Sequence, residues 1–212
     1  MERMTADRIV TINVDVQNDF TPGGALGVTE GDQVVAPLNE LNRFTRENGG
    51  IVIATGDQHP ATTPHFDIWP VHCIAGTEGA ALRADLEILP EDIIINKGMG
   101  QTDGYSGYEG VTTDGRTIEQ IVSPAPRERV ALLIGGLATD YCVLNTTLDA
   151  ARQAKAEKDG TLSVFVIRDA IRAVNINPED GADAIKQMEE AGATIIDSID
   201  ILTGQAIELA KA

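Results

Sequence analysis

Six short, almost unbroken runs of β-branched and aliphatic residues constrain this chain more than any other feature. They lie at residues 8–16 (RIVTINVDV), 51–55, 92–96 (DIIIN), 129–134 (RVALLI), 162–167 and 194–196. A strand with one wet face alternates apolar and polar residues, whereas runs apolar at nearly every position belong to strands covered on both faces. Helical patterns lie at 32–48, 117–122, 141–157, 178–191 and 201–210, with a short helix or turn at 82–86. Asp32 and Asp140 are the expected N-caps of the first and third, and Gly49–Gly50 the stop of the first. Gly135–Gly136 is expected to end the fourth strand. The alternation predicts an α/β fold: a mostly parallel six-stranded sheet with helices on both faces, in a Rossmann-like three-layer arrangement. At 212 residues the chain suits one such domain, 1–212, and no linker or internal repeat divides it.

Ligands of such sheets sit beyond the carboxyl ends of the strands. Asp15 closes the first run, Asp57 and His59 follow the second, Lys97 follows the third, and Cys142 comes soon after the fourth. Four chemically capable groups from four stretches therefore fall at one edge of one sheet. At a helix N-terminus the Cys142 thiol is expected to have a lowered pKa, with unpaired amides beside it for an oxyanion. The ordinary alternative for a free cysteine is a small buried hydrophobe. Asp15 and Lys97 close apolar strands, where a charge needs a partner. If they meet, Lys97 offsets the carboxylate, which can then carry a proton for the thiol. The alternative is a structural ion pair.

Every histidine, His59, His65 and His72, lies in the stretch DQHPATTPHFDIWPVH at 57–72. Asp57 stands two residues before His59, so an extended chain turns both to one face. One carboxylate with two or three imidazoles suits Zn²⁺, Mn²⁺ or Fe²⁺ better than Ca²⁺ or Mg²⁺. The spacing matches no zinc-finger pattern, and three unrelated loop histidines are the bland alternative.

Thirty-three acidic residues against 16 basic ones give a net charge of −17, which argues against nucleic-acid and anionic-membrane partners. A neutral or cationic small molecule is favoured. Two cysteines, Cys73 and Cys142, are too few for a secreted disulfide framework. MERMTADR has no apolar core, and no apolar run approaches the ~20 residues that span a bilayer. A cytoplasmic protein is expected, with self-association into a homo-oligomer left open.

The segments VDVQNDFTPGGAL (14–26), GDQHP (56–60), HF (65–66), WPVHCIAGTEGA (69–80), NKG (96–98), DGYSGYEG (103–110) and GLATDYCVLNTTLDA (136–150) occur in that order. In them the chain resembles the nicotinamidase/pyrazinamidase branch of the isochorismatase-like cysteine hydrolases. The resemblance implies a triad of Asp15, Lys97 and Cys142. It implies one divalent metal, zinc before manganese or iron, on Asp57, His59 and His72, with His65 as a further ligand. It also implies a cis peptide between Leu137 and Ala138, an oxyanion hole of the Ala138 and Cys142 amides, and ring-pocket walls of Phe20, Trp69 and Tyr105. Core packing is the alternative for Phe20 and Trp69, and Tyr141 is given no role beyond lining the pocket.

The activity so implied is hydrolysis of nicotinamide to nicotinate and ammonia through a thioester, in salvage of the pyridine nucleotide, with pyrazinamide also accepted. One rival is a related hydrolase of another small amide, an N-carbamoyl amine or a vinyl ether, which would generally lack the Asp–His–His set. Another is a thiol redox sensor, which would need Cys73 as partner and leave Asp15 and Lys97 unexplained.

Overall fold

Apolar runs become central strands because each can bury both faces, and the computed structural model, which describes residues 3–157 and 160–210, builds its sheet from all six. In chain order the elements are β1 (Met4–Ala6), β2 (Arg8–Val14), α1 (Val35–Glu47), β3 (Ile51–Asp57), β4 (Ile93–Lys97) and α2 (Ile118–Val122). Then come β5 (Val130–Leu137), α3 (Leu144–Ala156), β6 (Leu162–Arg172), α4 (Asp180–Ala191), β7 (Thr194–Ile196), α5 (Ser198–Leu202) and β8 (Ile207–Leu209). The large sheet has the order β4-β3-β2-β5-β6-β7, and all its pairs are parallel. The chain works outward from β2 to β4, then crosses back to β5 on the other side of β2. That reversal leaves a crevice above the carboxyl ends of β2 and β5.

Alternate residues of each central strand feed two separate cores. Ala131 and Leu133 of β5 pack with Leu38 and Leu41 of α1. Val130, Leu132 and Ile134 face Ile118 and Val122 of α2 and Ala150 of α3. The first layer also buries polar pairs: Thr11 Oγ1 lies 2.6 Å from Thr45 Oγ1, and the Asn13 and Asn42 amides exchange hydrogen bonds of 3.0 Å. Each satisfies the other, so burial there carries no unpaired group. No helix among the described residues is long and apolar enough to cross a membrane.

Four expectations need correction. Asp32 is not a helix cap: it sits in a 3-10 turn, Gly31–Val34, and α1 starts only at Val35. Pro37 lacks an N–H, so a helix can pass it without losing a bond only within its first turn. Gly135 and Gly136 do not end β5. The strand runs through them to Leu137 because bare backbone is needed there: a Cβ on Gly136, whose φ is +124°, would stand 2.0 Å from Val14 O. β6 accordingly continues past Ile167 to Arg172, beyond a register shift opposite Ile134/Gly136. The closing helix is only Ser198–Leu202. Gly204, at φ +68°, turns the chain into β8, which pairs in parallel with β1.

Candidate active site

The crevice gathers what the strand ends deliver. Asp15 follows β2 with φ +48°, a left-handed turn that leaves its side chain fully buried. Thr55 of β3 holds it: the Thr55 hydroxyl donates to Asp15 Oδ1 at 2.6 Å and accepts from the Asp15 amide at 3.2 Å. Asp57 ends β3 and Lys97 ends β4 as register partners, so both point their backbones into the same edge. Lys97 Nζ lies 2.9 Å from Asp15 Oδ2 and 2.6 Å from Asp57 Oδ1, and it donates to Gly104 O at 3.0 Å. Its distance to Cys142 Sγ is 3.5 Å. Asp15, Asp57 and Cys142 each place one ligand-type atom within 4.8 Å of the others.

Cys142 sits in a wide π-type turn, Thr139–Val143, between β5 and α3. The Leu137–Ala138 peptide is cis, as the resemblance implied. Asp140 is not the helix cap expected of it. Its carboxylate accepts from the Val174 and Asn175 amides, both at 2.9 Å, tying the turn to the loop after β6.

The thiol's acidity also differs from expectation. Burial, with Asp15 and Asp57 beside it, pushes Cys142 well above its ordinary value, and Lys97 only partly opposes this. Burial likewise raises Asp15, with Asp57 adding to it and Lys97 opposing. Burial pushes Asp57 up too, but Lys97 beside it overcomes this and holds the carboxyl below the usual carboxylate range. Lys97 stays charged despite burial because two carboxylates face it. One cation already shared by two acids leaves nothing to balance a third anion, so the resting sulfur keeps its proton.

Beside this group the imidazoles converge. The 73–75 strand-like segment pins His59, whose amide donates to Cys73 O at 2.9 Å and whose carbonyl accepts from Ala75 N–H at 2.9 Å. That pairing brings His72 alongside. His65 stands in the 3-10 turn Pro64–Asp67, capped by Thr63. Ring centroids are 4.6 Å apart for His59–His65, 5.1 Å for His59–His72 and 5.2 Å for His65–His72. One ring nitrogen from each lies within 4.8 Å of the others.

The Nδ1 atoms are all committed, to Gly98 O (His59, 2.9 Å), Asp103 Oδ1 (His65, 2.7 Å) and Pro70 O (His72, 2.7 Å). Carbonyl oxygens only accept, so Nδ1 of His59 and of His72 carries the proton and each Nε2 presents a lone pair. Nε2 of His59 is buried with no hydrogen-bond partner among the described residues. Burial lowers the pKa of His72. Three converging imidazoles, one with an unpartnered buried nitrogen, form a donor set for a divalent transition metal, and the residues fit one. Asp57 belongs to this trio less closely than expected: its Oδ2 lies 3.5 Å from His59 Nε2, while its Oδ1 is held by Lys97.

One recess, with about 390 Å³ of atom-free space, touches Cys142, Ala138, Asp57, His65 and His72 together. Phe20, Trp69 and Tyr105 line it. Trp69 Nε1 donates to the Tyr105 hydroxyl at 3.0 Å, and Tyr141 meets Trp69 edge-on at 5.0 Å. Sequence reasoning missed Leu26, Val28 and Val174, further apolar walls, and it missed Asp103. Leu26 stood in the segment 14–26 that carries the resemblance, with no wall assigned to it, and Val28 lies just beyond that segment.

Relatives share this arrangement of elements. The isochorismatase domain matches residues 10–200. Nicotinamidase of Escherichia coli (strain K12) is 36% identical over 204 residues, covering 86% of this chain and 91% of that protein. The crystal structure of pyrazinamidase of Pyrococcus horikoshii in complex with zinc superposes with a TM-score of 0.74 at 34% identity, covering 90% and 99% of the two chains. PnC1 from L. infantum in complex with nicotinate gives 0.75 at 25% identity, covering 99% of each. With the isochorismatase domain matched over residues 10–200, most of its length, this chain belongs to the isochorismatase family.

Proposed function

We propose that this chain is a metal-dependent cysteine amidohydrolase that converts nicotinamide to nicotinate and ammonia. The observation that carries the reading is the shared recess: the Cys142 thiol, the Asp57 carboxylate, two imidazoles of the histidine trio (His65 and His72) and aromatic walls all line it. Nicotinamide carries its carboxamide meta to the ring nitrogen on one flat ring, so the imidazoles and the thiol can each take one of the two groups at once. Pyrazinamide presents the same two groups and fits the same contacts.

His59, His65 and His72, with Asp57, would hold the metal, zinc by the chemistry of the donors and by its presence in the pyrazinamidase relative. The bound ion would supply a Lewis-acid anchor for the ring nitrogen. Asp15 takes the proton from Cys142 Sγ as the sulfur bonds to the carboxamide carbon. Keeping the thiol neutral until substrate arrives makes this transfer part of the attack. The Ala138 and Cys142 amides receive the oxyanion. Asp15 then gives its proton to the amide nitrogen, the C–N bond breaks, ammonia leaves, and a thioester remains. Water adds to that carbonyl with Asp15 again accepting the proton, the C–S bond breaks, and the sulfur is reprotonated as nicotinate forms. Lys97 holds Asp15 in place and balances its charge throughout.

The test is ammonia release from nicotinamide by the purified protein. Chelation should abolish it and added Zn²⁺ should restore it. Cys142→Ala should lose at least about 10³-fold in turnover while binding metal as before. Near-normal turnover by that variant would exclude the covalent route.

A further inference from the structure

The three imidazoles are not anchored alike. His59 and His72 donate to main-chain carbonyls, which no side-chain substitution removes. His65 donates to a side chain, Asp103 Oδ1 at 2.7 Å, across 38 residues of sequence. A carboxylate behind an imidazole fixes the tautomer and makes the far nitrogen a stronger donor than a neutral carbonyl does. Asp103 is 44% exposed at its side chain and belongs to neither core, so packing does not account for its placement. The short loop 98–105 that carries it also supplies Gly98 O to His59, Gly104 O to Lys97 and the Tyr105 hydroxyl to Trp69.

We propose that Asp103 is a positioning residue: it holds His65 as the Nδ1–H tautomer with Nε2 facing the other two imidazoles, and thereby sets the affinity of the trio for a divalent transition metal. The inference rests on reading the trio as a metal site. That site therefore gathers a carboxylate which touches no ligand-binding surface of its own. Of the three imidazoles, His65 is the one whose Nδ1 partner is a side chain.

The full chain, stripped by chelation, would be titrated with Zn²⁺ against a chromophoric chelator. Asp103→Ala should weaken binding by roughly 10- to 100-fold. Asp103→Asn keeps an accepting Oδ1 without the charge and should fall between that variant and the parent. Gln101→Ala, in the same loop with only a 3.5 Å contact to Thr62 O, should bind as the parent does. A second readout needs no metal: imidazole ¹⁵N shifts of the stripped protein at a pH well above ~6.5. His65 should be protonated at Nδ1 in the parent and in Asp103→Asn, and a mixture of tautomers in Asp103→Ala. Parental zinc affinity in Asp103→Ala would overturn the proposal. So would an equal loss in Gln101→Ala, or an Nε2–H tautomer of His65 in the parent. A parent that binds no zinc would instead remove the metal reading beneath it.

Discussion

Lys97 must serve two carboxylates and a sulfur with a single charge, and that shortage decides how each group behaves. Asp57 takes the closest contact and stays ionised, so Asp15 is left with a raised pKa and Cys142 with its proton. A protonated Asp15 cannot accept the thiol proton, so the acid limb of kcat/KM should lie above the ordinary carboxylate value near 3.8. The Thr55 hydroxyl stabilises the ionised form, and removing it raises Asp15 further. Thr55→Val should therefore move the acid limb to higher pH, at a cost of about 1–2 kcal/mol in stability. A pH–rate profile of the two proteins checks the sign, and a limb that moves down would contradict it. At this scale the chain was legible where chemistry and strand ends coincide, as at Asp15, Asp57 and Lys97, and where one short stretch holds every histidine. The thiol's pKa was not legible, because it depends first on full burial and then on Asp15 and Asp57 arriving from other strands. Asp103 was hidden for the same reason, as nothing near position 103 in the sequence hints at a histidine 38 residues earlier.

Glycines set how closely the elements of the crevice approach. β2 and β5 lie so near at Gly136 that only a residue without Cβ fits, and this brings the Asp15 turn beside the Cys142 turn. Gly136→Ala would place a methyl 2.0 Å from Val14 O in a backbone region closed to side chains. It should cost at least about 3 kcal/mol, read from urea unfolding, with loss of turnover in whatever remains folded. A loss under about 1 kcal/mol would mean that β5 relaxes there freely. Element ends were the least legible part of the sequence. Asp32 and Asp140 look like caps because their side chains readily bond nearby amides. Which amides they meet is set by tertiary placement: Asp140 bonds residues 174 and 175, not its own helix.

Over the whole molecule the six apolar runs and their parallel order were readable, because double-sided burial leaves its mark on every residue of a strand. β1 and β8 were not, since three-residue strands are too short to show a period. Their pairing nevertheless has a use. β1 leads directly into the amino end of β2, so the β1–β8 ladder lies at the sheet edge away from the recess, and Met4 stands roughly 10 Å from Leu209. A circular permutant could splice the chain there with a linker of about five residues and open it between Asp114 and Gly115, in an exposed turn. It should retain parental near-UV dichroism and nicotinamide turnover within a few-fold. An unfolded permutant would mean that the small ladder must close in its native chain order. A functional one would move the ends of the polypeptide from the ladder to the exposed turn at 113–115, where a surface attachment or a genetic fusion could be made.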